Sequence, residues 1–352
     1  MNTTQPQQHA HARTLFSRHT LAALLASSLA LGACSSGATN RSTSLHDLTR
    51  PTPLVETDAQ QTPPTPPAPF DPRALPAFDG ATGQPVDWDA LVARAAAAPA
   101  VLIGEIHGHQ PGLDAAAALW EDILSQSSGS PSPALALEFF ERDHQTHLDD
   151  YLTGITDEAT FLDQTGRSLN SGSYPPGHRA MVEAAKAAGV PVIAANAPRR
   201  YVRLSRLEGL DRLEAMTPEQ RRLVAIPDEL TPGTYRERFF SIMGGMHQSD
   251  GEPDEDGAHA RNRVIETFFT AQNVWDETMA DSVAEAIRSG RMPVVLVVGQ
   301  FHTDFEGGLT TRLRDRAINP LVVSMVAASR DTFDDNDLNR ADIVVYTGDF
   351  RR

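Results

Sequence analysis

Val101-Leu102-Ile103-Gly104-Glu105-Ile106-His107-Gly108-His109 is the stretch on which the fold turns. Three β-favouring apolar residues run into a glycine, and a carboxylate and two imidazoles follow at once. Continuous apolar runs mark strands covered on both faces, and open parallel sheets carry their sites at the carboxyl ends of such strands. The stretch therefore predicts a buried strand that delivers Glu105, His107 and His109 to a sheet edge. Glu105 and His107 are two residues apart, so extended backbone places them on one face.

The same pattern recurs far downstream. The apolar run 293–299 ends in Gly299-Gln300-Phe301-His302, again strand–Gly-x-x-His, and the run 134–138 ends in Glu138. Histidine supplies only 12 of 352 residues, so a second strand end with this offset is informative. The spacing alone is weak, because Gly244-Gly245-Met246-His247 repeats it after no strand. Glu105, His107, Glu138 and His302 are expected to converge. Such a set suits a first-row metal (Zn, Mn or Fe) held by His107, His302 and Glu138. It equally suits general acid–base chemistry by all four. The bland reading makes each imidazole the partner of a buried carbonyl and each Glu the cap of the helix that follows.

Outward from these motifs, short β-type runs at 100–104, 134–138, 190–195, 293–299, 321–325 and 343–346 alternate with helical patterns. The helices are expected at 113–125, 142–152, 178–188, 200–208, 261–289 and 309–315. This alternation predicts an α/β fold, a mainly parallel sheet with helices on both faces. Residues 197–290 contain no convincing strand and read as a helical insertion or cap. Within them 243–260 is a long acidic loop, either a mobile segment or a lid. Gln272, Trp275, Asp276 and Met279 share one helical face, where Asp276 calls for a partner. Asn196, Arg199 and Arg200 follow the third strand, where the planar fork of an arginine suits a carboxylate; a surface turn pairing with nearby acids is the alternative. Asp304 is placed to orient His302 or to cap the next helix. His144, His147 and His178 read as surface or core residues of their helices.

The amino terminus has a different character. Residues 1–33 have the charged, apolar and small-residue regions of a secretory signal, and Leu31-Gly32-Ala33-Cys34 resembles a bacterial lipobox with Cys34 as the lipidation site. Residues 34–75, rich in Ser, Thr and Pro, read as a disordered tether, and 76–352 as the folded domain. Cys34 is the single cysteine, so no thiol remains for a disulfide or a nucleophile. A net charge of −16 argues against nucleic acid and against broad contact with anionic lipid, leaving the N-terminal anchor as the membrane attachment. No Gly-x-Ser-x-Gly elbow, Walker A loop or His-Glu-x-x-His helix occurs.

Taken in order, Gly104-Glu105-x-His107, Glu138, the 192–199 run, the 272–280 stretch and Gly299-Gln-Phe-His302 resemble the ChaN-like haem-binding lipoproteins. These are grouped with Tiki/TraB proteins and erythromycin esterases, and the resemblance spans about 97–330. It implies an α/β sandwich with a helical insertion, and haem binding in iron uptake or, by analogy with Tiki relatives, metal-dependent hydrolysis. It also implies a homodimer, and the lipobox without Asp after Cys34 points to the outer membrane facing the periplasm. Haem binding in that family uses a tyrosine near the first motif, and this chain has none between 76 and 150. His107 or His109 is then the expected axial ligand. Tyr174, Asn196, Arg199 and Asp276 are further candidates for contacting the cofactor. An interaction protein without a catalytic site is the reading from a third class.

Overall fold

The computed structural model describes residues 70–127, 132–169, 173–246 and 255–349. The leader, Cys34 and most of the tether lie outside the described residues, as do His247 and the rest of 247–254. Among the described residues no helix is long and apolar enough to cross a membrane.

Among the described residues seven strands form one sheet: β1 (Ala77–Asp79), β2 (Ala100–Glu105), β3 (Ser132–Glu141), β4 (Val192–Asn196), β5 (Arg291–Gly299), β6 (Leu321–Val326) and β7 (Ile343–Tyr346). Their order is β1-β7-β6-β2-β5-β3-β4. All neighbours are parallel except β1 with β7. The fold is the α/β class that the alternating pattern predicts. β1 is missing from the sequence reading because a three-residue edge strand has no periodicity of its own and exists through its pairing with β7.

Alternation along the strands sorts side chains into two cores. Val101 and Ile103 of β2, with Leu135, Leu137, Val295 and Val297, face the helices Trp88–Ala97, Gln110–Gln126 and Pro176–Ala188 through Leu91, Trp120, Ile123 and Met181. Leu102, Ala136, Leu296 and Val298 face the opposite way, onto Val274, Met279 and Val283 of the long helix Glu255–Arg288 and onto Leu309 and Leu313. Every residue of β2 is buried, as its unbroken apolar pattern requires.

Between β4 and β5 all described elements are helical. The short helices Asp211–Glu214 and Pro218–Arg221 and the helix Thr234–Met246 were not legible in the sequence, nor were Trp88–Ala97 and Glu158–Gln164. Thr234–Met246 packs Tyr235, Phe239 and Met243 on Ile265 and Phe269, a separate small core. Helix therefore occupies both ends of the expected 243–260 loop.

Strand order is what assembles the site. β5 enters between β2 and β3, with Glu105 level with Gly299 and Leu137 level with Val297. The two Gly-x-x-His motifs thus stand on adjacent parallel strands, one residue out of step. From β2 the chain continues to β3 on one side and later returns to β6 on the other. Such a reversal opens a crevice at the carboxyl ends of the strands.

Candidate functional site at the carboxyl edge of the sheet

Glu105 closes β2 and is 3% exposed. His107, in the turn that follows β2, donates from Nδ1 to Glu105 Oε1 at 2.8 Å. His178 Nε2 donates to Oε2 at 3.0 Å. His178 comes from the first turn of Pro176–Ala188, and its ring lies 4.6 Å from that of Phe139. Burial by itself raises the Glu105 carboxyl, but the charge of His178 and the His107 hydrogen bond outweigh it and hold the group well below the usual carboxylate range. Glu105 is thus an anion clasped by two imidazoles. Burial lowers His107, yet the Glu105 hydrogen bond and the Glu138 charge push it up to about 9. Its side chain remains 31% exposed.

Two glycines permit the close packing. A β-carbon on Gly299 would stand 3.2 Å from His107 Nε2, so the imidazole lies on bare backbone. A β-carbon on Gly104 would come 2.7 Å from Thr303 Oγ1 and 3.1 Å from the Gln300 α-carbon. Glycine at 104 therefore lets the turn Gln300–His302 settle against β2 and swing His302 into the crevice.

His302 has its own buried carboxylate. Nδ1 donates to Asp276 Oδ1 at 2.6 Å, and Asp276 Oδ2 accepts from the Tyr235 hydroxyl at 2.7 Å. Gln272 Nε2 lies 3.1 and 3.2 Å from the two ring nitrogens. Burial lowers His302, but the charge and hydrogen bond of Asp276 raise it above its ordinary value. Trp275 and Met279 of the same helix belong to the hydrophobic core. Glu138 stands between the two histidines: Oε2 accepts from Gly299 N at 2.6 Å, and Oε1 is 3.7 Å from His302 Nε2. Asn196 donates to the Glu138 carbonyl at 3.2 Å and pins β3 where its register with β4 shifts.

The structure thus brings Glu105, His107, Glu138, His302 and Asp276 together, with Asn196 behind them. Arg199 is at the rim, its backbone N and Nε on Glu141 at 3.1 and 3.3 Å, and its charge opposes that of His107. His109 and Tyr174 do not join the cluster. His109 is buried with Nε2 2.9 Å from Thr347 Oγ1 at the end of β7. Tyr174 is 1% exposed inside the aromatic group of Phe139, Phe140 and Phe161. Asp304 turns away from His302 and accepts from Arg340 at 2.7 Å and Ser324 at 3.0 Å.

Among the described residues, ligand atoms gather within 4.8 Å of one another at Glu141, Asp143 and His144, but not at His107, Glu138 and His302. Glu141 and Asp143 are already paired with Arg199 and Arg200. Sequence reading missed His178 and Tyr235. His178 had a readable signal, because a helix leading into a parallel strand starts at the sheet edge where ligands bind. Tyr235 had none, since only the packing of the insertion brings it to Asp276.

A mainly parallel α/β sheet whose carboxyl edge holds two histidines, each backed by a buried carboxylate, is the class of protein that fold and site define. The chain matches the family described as haem-binding uptake, Tiki superfamily, ChaN, over residues 91–313, and it belongs to that family. No curated protein matches it. Among solved structures it is similar to one described as cofacial heme binding to ChaN of Campylobacter jejuni. The TM-score is 0.57 at 16% identity, over 77% of this chain and 96% of that one. It also aligns with a mutant of the erythromycin esterase EreC in its open conformation. There the TM-score is 0.39 at 13% identity, over 76% of this chain and 82% of that one.

Proposed function

We propose that this protein binds haem at the carboxyl edge of its sheet, with His107 as the residue that would hold its iron, and serves haem handling or iron uptake as an exported lipoprotein anchored through Cys34. The carrying observation is the Glu105–His107 pair. Glu105 occupies Nδ1, so iron would be taken at Nε2 of this partly exposed imidazole, displacing the proton that the raised His107 keeps there near neutral pH, and the buried carboxylate strengthens the ring as a donor. Haem, when bound, supplies a redox-active iron that needs only one or two protein ligands. That demand fits an edge where His107, Glu138 and His302 do not close into a compact divalent-metal set. His302, raised by Asp276, and Glu138 place a proton donor and an acceptor beside the same face.

The test is a haemin titration of the purified full-length protein, followed in the Soret band. A saturable shift is expected, lost in His107→Ala and retained with altered position in His302→Ala. No saturable shift in the parent protein would sink the haem reading.

A second reading is hydrolysis with the same four residues, Glu105, His107, Glu138 and His302. The observation favouring it is the two carboxylate-backed imidazoles, an arrangement suited to general acid–base work. Turnover of ester, amide or phosphoester substrates, with and without added Zn or Mn, is the measurement. A flat panel in all conditions removes this alternative.

A further inference from the structure

Arg167 follows the helix Glu158–Gln164 and lies beside the end of β3. Its Nη2 donates to the Phe139 carbonyl, one residue beyond Glu138, and its guanidinium lies 3.9 Å from the Phe139 ring centroid. Its Nε is buried and has no hydrogen-bond partner. Among the described residues no carboxylate stands within 4.0 Å of it. The neighbouring arginines differ: Arg142 has Asp281 at 2.7 Å, Arg199 has Glu141 at 3.3 Å and Arg200 has Asp143 at 2.5 Å. Burial and the nearby Arg199 lower Arg167 to about 10, with Glu141 acting the other way, so it remains a cation at neutral pH. The Arg199 charge also reaches His107. Phe139 in turn lies 4.6 Å from the ring of His178, the second partner of Glu105, so Arg167 and Arg199 border the His107 site with Glu141 as the carboxylate acting on both.

A half-buried guanidinium without a carboxylate in direct contact is costly, and an arriving anion offsets that cost. Stacking on Phe139 and the bond to its carbonyl hold the planar fork in one orientation, which suits a carboxylate. The local positive spot stands on a chain of net charge −16, whose overall field repels an anionic ligand. We propose that Arg167 and Arg199 form a carboxylate-binding subsite beside His107, and that it takes a propionate of the haem. The inference rests on the haem reading above and adds the part of the ligand that the protein uses to orient it.

The experiment compares two probes, haemin and its dimethyl ester, in Soret titrations of the full-length protein and of Arg167→Gln and Arg199→Gln. Glutamine at 167 keeps a donor for the Phe139 carbonyl and removes the charge. The parent protein should prefer haemin over the ester by about tenfold, the worth of one charge-assisted bond. Arg167→Gln should abolish most of that preference while leaving ester affinity within about twofold, and Arg199→Gln should reduce it in part. Saturable haemin binding with no preference over the ester overturns the subsite alone. So does a preference that survives Arg167→Gln, or an equal loss for both probes. Absence of any saturable haemin shift overturns the subsite together with the haem reading. If melting shows Arg167→Gln to be unfolded, the exposed Arg199 decides, and a parental preference in Arg199→Gln overturns the proposal.

Discussion

Replacing Glu105 by Gln tests the core of the site. The carboxylate accepts from His107 at 2.8 Å and from His178 at 3.0 Å while almost wholly buried. An amide of the same shape keeps one acceptor oxygen and turns an NH2 toward the other imidazole. Hydrogen bonds to a charged group contribute about 1.5–3 kcal/mol each, and breaking a buried ionic arrangement exceeds the loss of one bond, so a cost of about 2–4 kcal/mol is expected. For a domain of this size that lowers the Tm by roughly 4–12 °C. The pH dependence is more diagnostic. His107 is raised from 6.5 to about 9 in the fold, so its contribution is complete below 6.5 and is lost as pH rises through about 9. Glu105 is depressed below its ordinary 4.5, so its contribution is present above that value and is lost on acidification. The stability gap between parent and Glu105→Gln should be widest between those limits and narrow at both ends. In the variant the His107 midpoint should fall by about one to two pH units, with Glu138 still holding part of the rise. Thermal melts from acid to alkaline pH and imidazole NMR titrations measure both quantities. An unmoved His107 midpoint, or a gap constant across pH, would refute the pairing.

Other perturbations reach the remaining layers. Gly299→Ala puts a methyl 3.2 Å from His107 Nε2 and 3.3 Å from Cε1; the imidazole must shift, and haemin affinity should fall about tenfold or more while chemical melts change little. Tyr235→Phe removes the donor to Asp276 Oδ2 and should cost about 1–3 kcal/mol in urea unfolding, with the His302 midpoint displaced; an unchanged midpoint separates Tyr235 from the Asp276–His302 pair. Leu102→Ala empties a fully buried position between β2 and the long helix and should cost about 2–5 kcal/mol, while haemin binding by the folded fraction is retained.

Much of the fold was legible because its signals are local. The run 343–346 matches β7 residue for residue, and β2 and β6 each extend a single residue further than expected. Such strands are continuous apolar runs between glycines and turns, and they need no distant partner to be recognised. Elements defined by their neighbours were not legible: β1 exists through β7, and Thr234–Met246 through the small aromatic core beneath it. The site divides along the same line. Glu105 and His107 are only two residues apart, and the turn directly after β2 brings the imidazole onto the carboxylate.

The sequence by itself determined the α/β class, the strand ends that carry carboxylates and imidazoles, and the Glu105–His107 pair, since each depends on periodicity or spacing within a few residues. Only the tertiary structure decided that β5 lies between β2 and β3, so that the second histidine motif faces the first. It also decided that His302 pairs with Asp276 rather than Asp304, that His178 completes Glu105, and that His109 turns to Thr347. Buried polar groups must find partners wherever the chain's packing supplies them, and that choice is made by strand order and helix placement across tens to hundreds of residues.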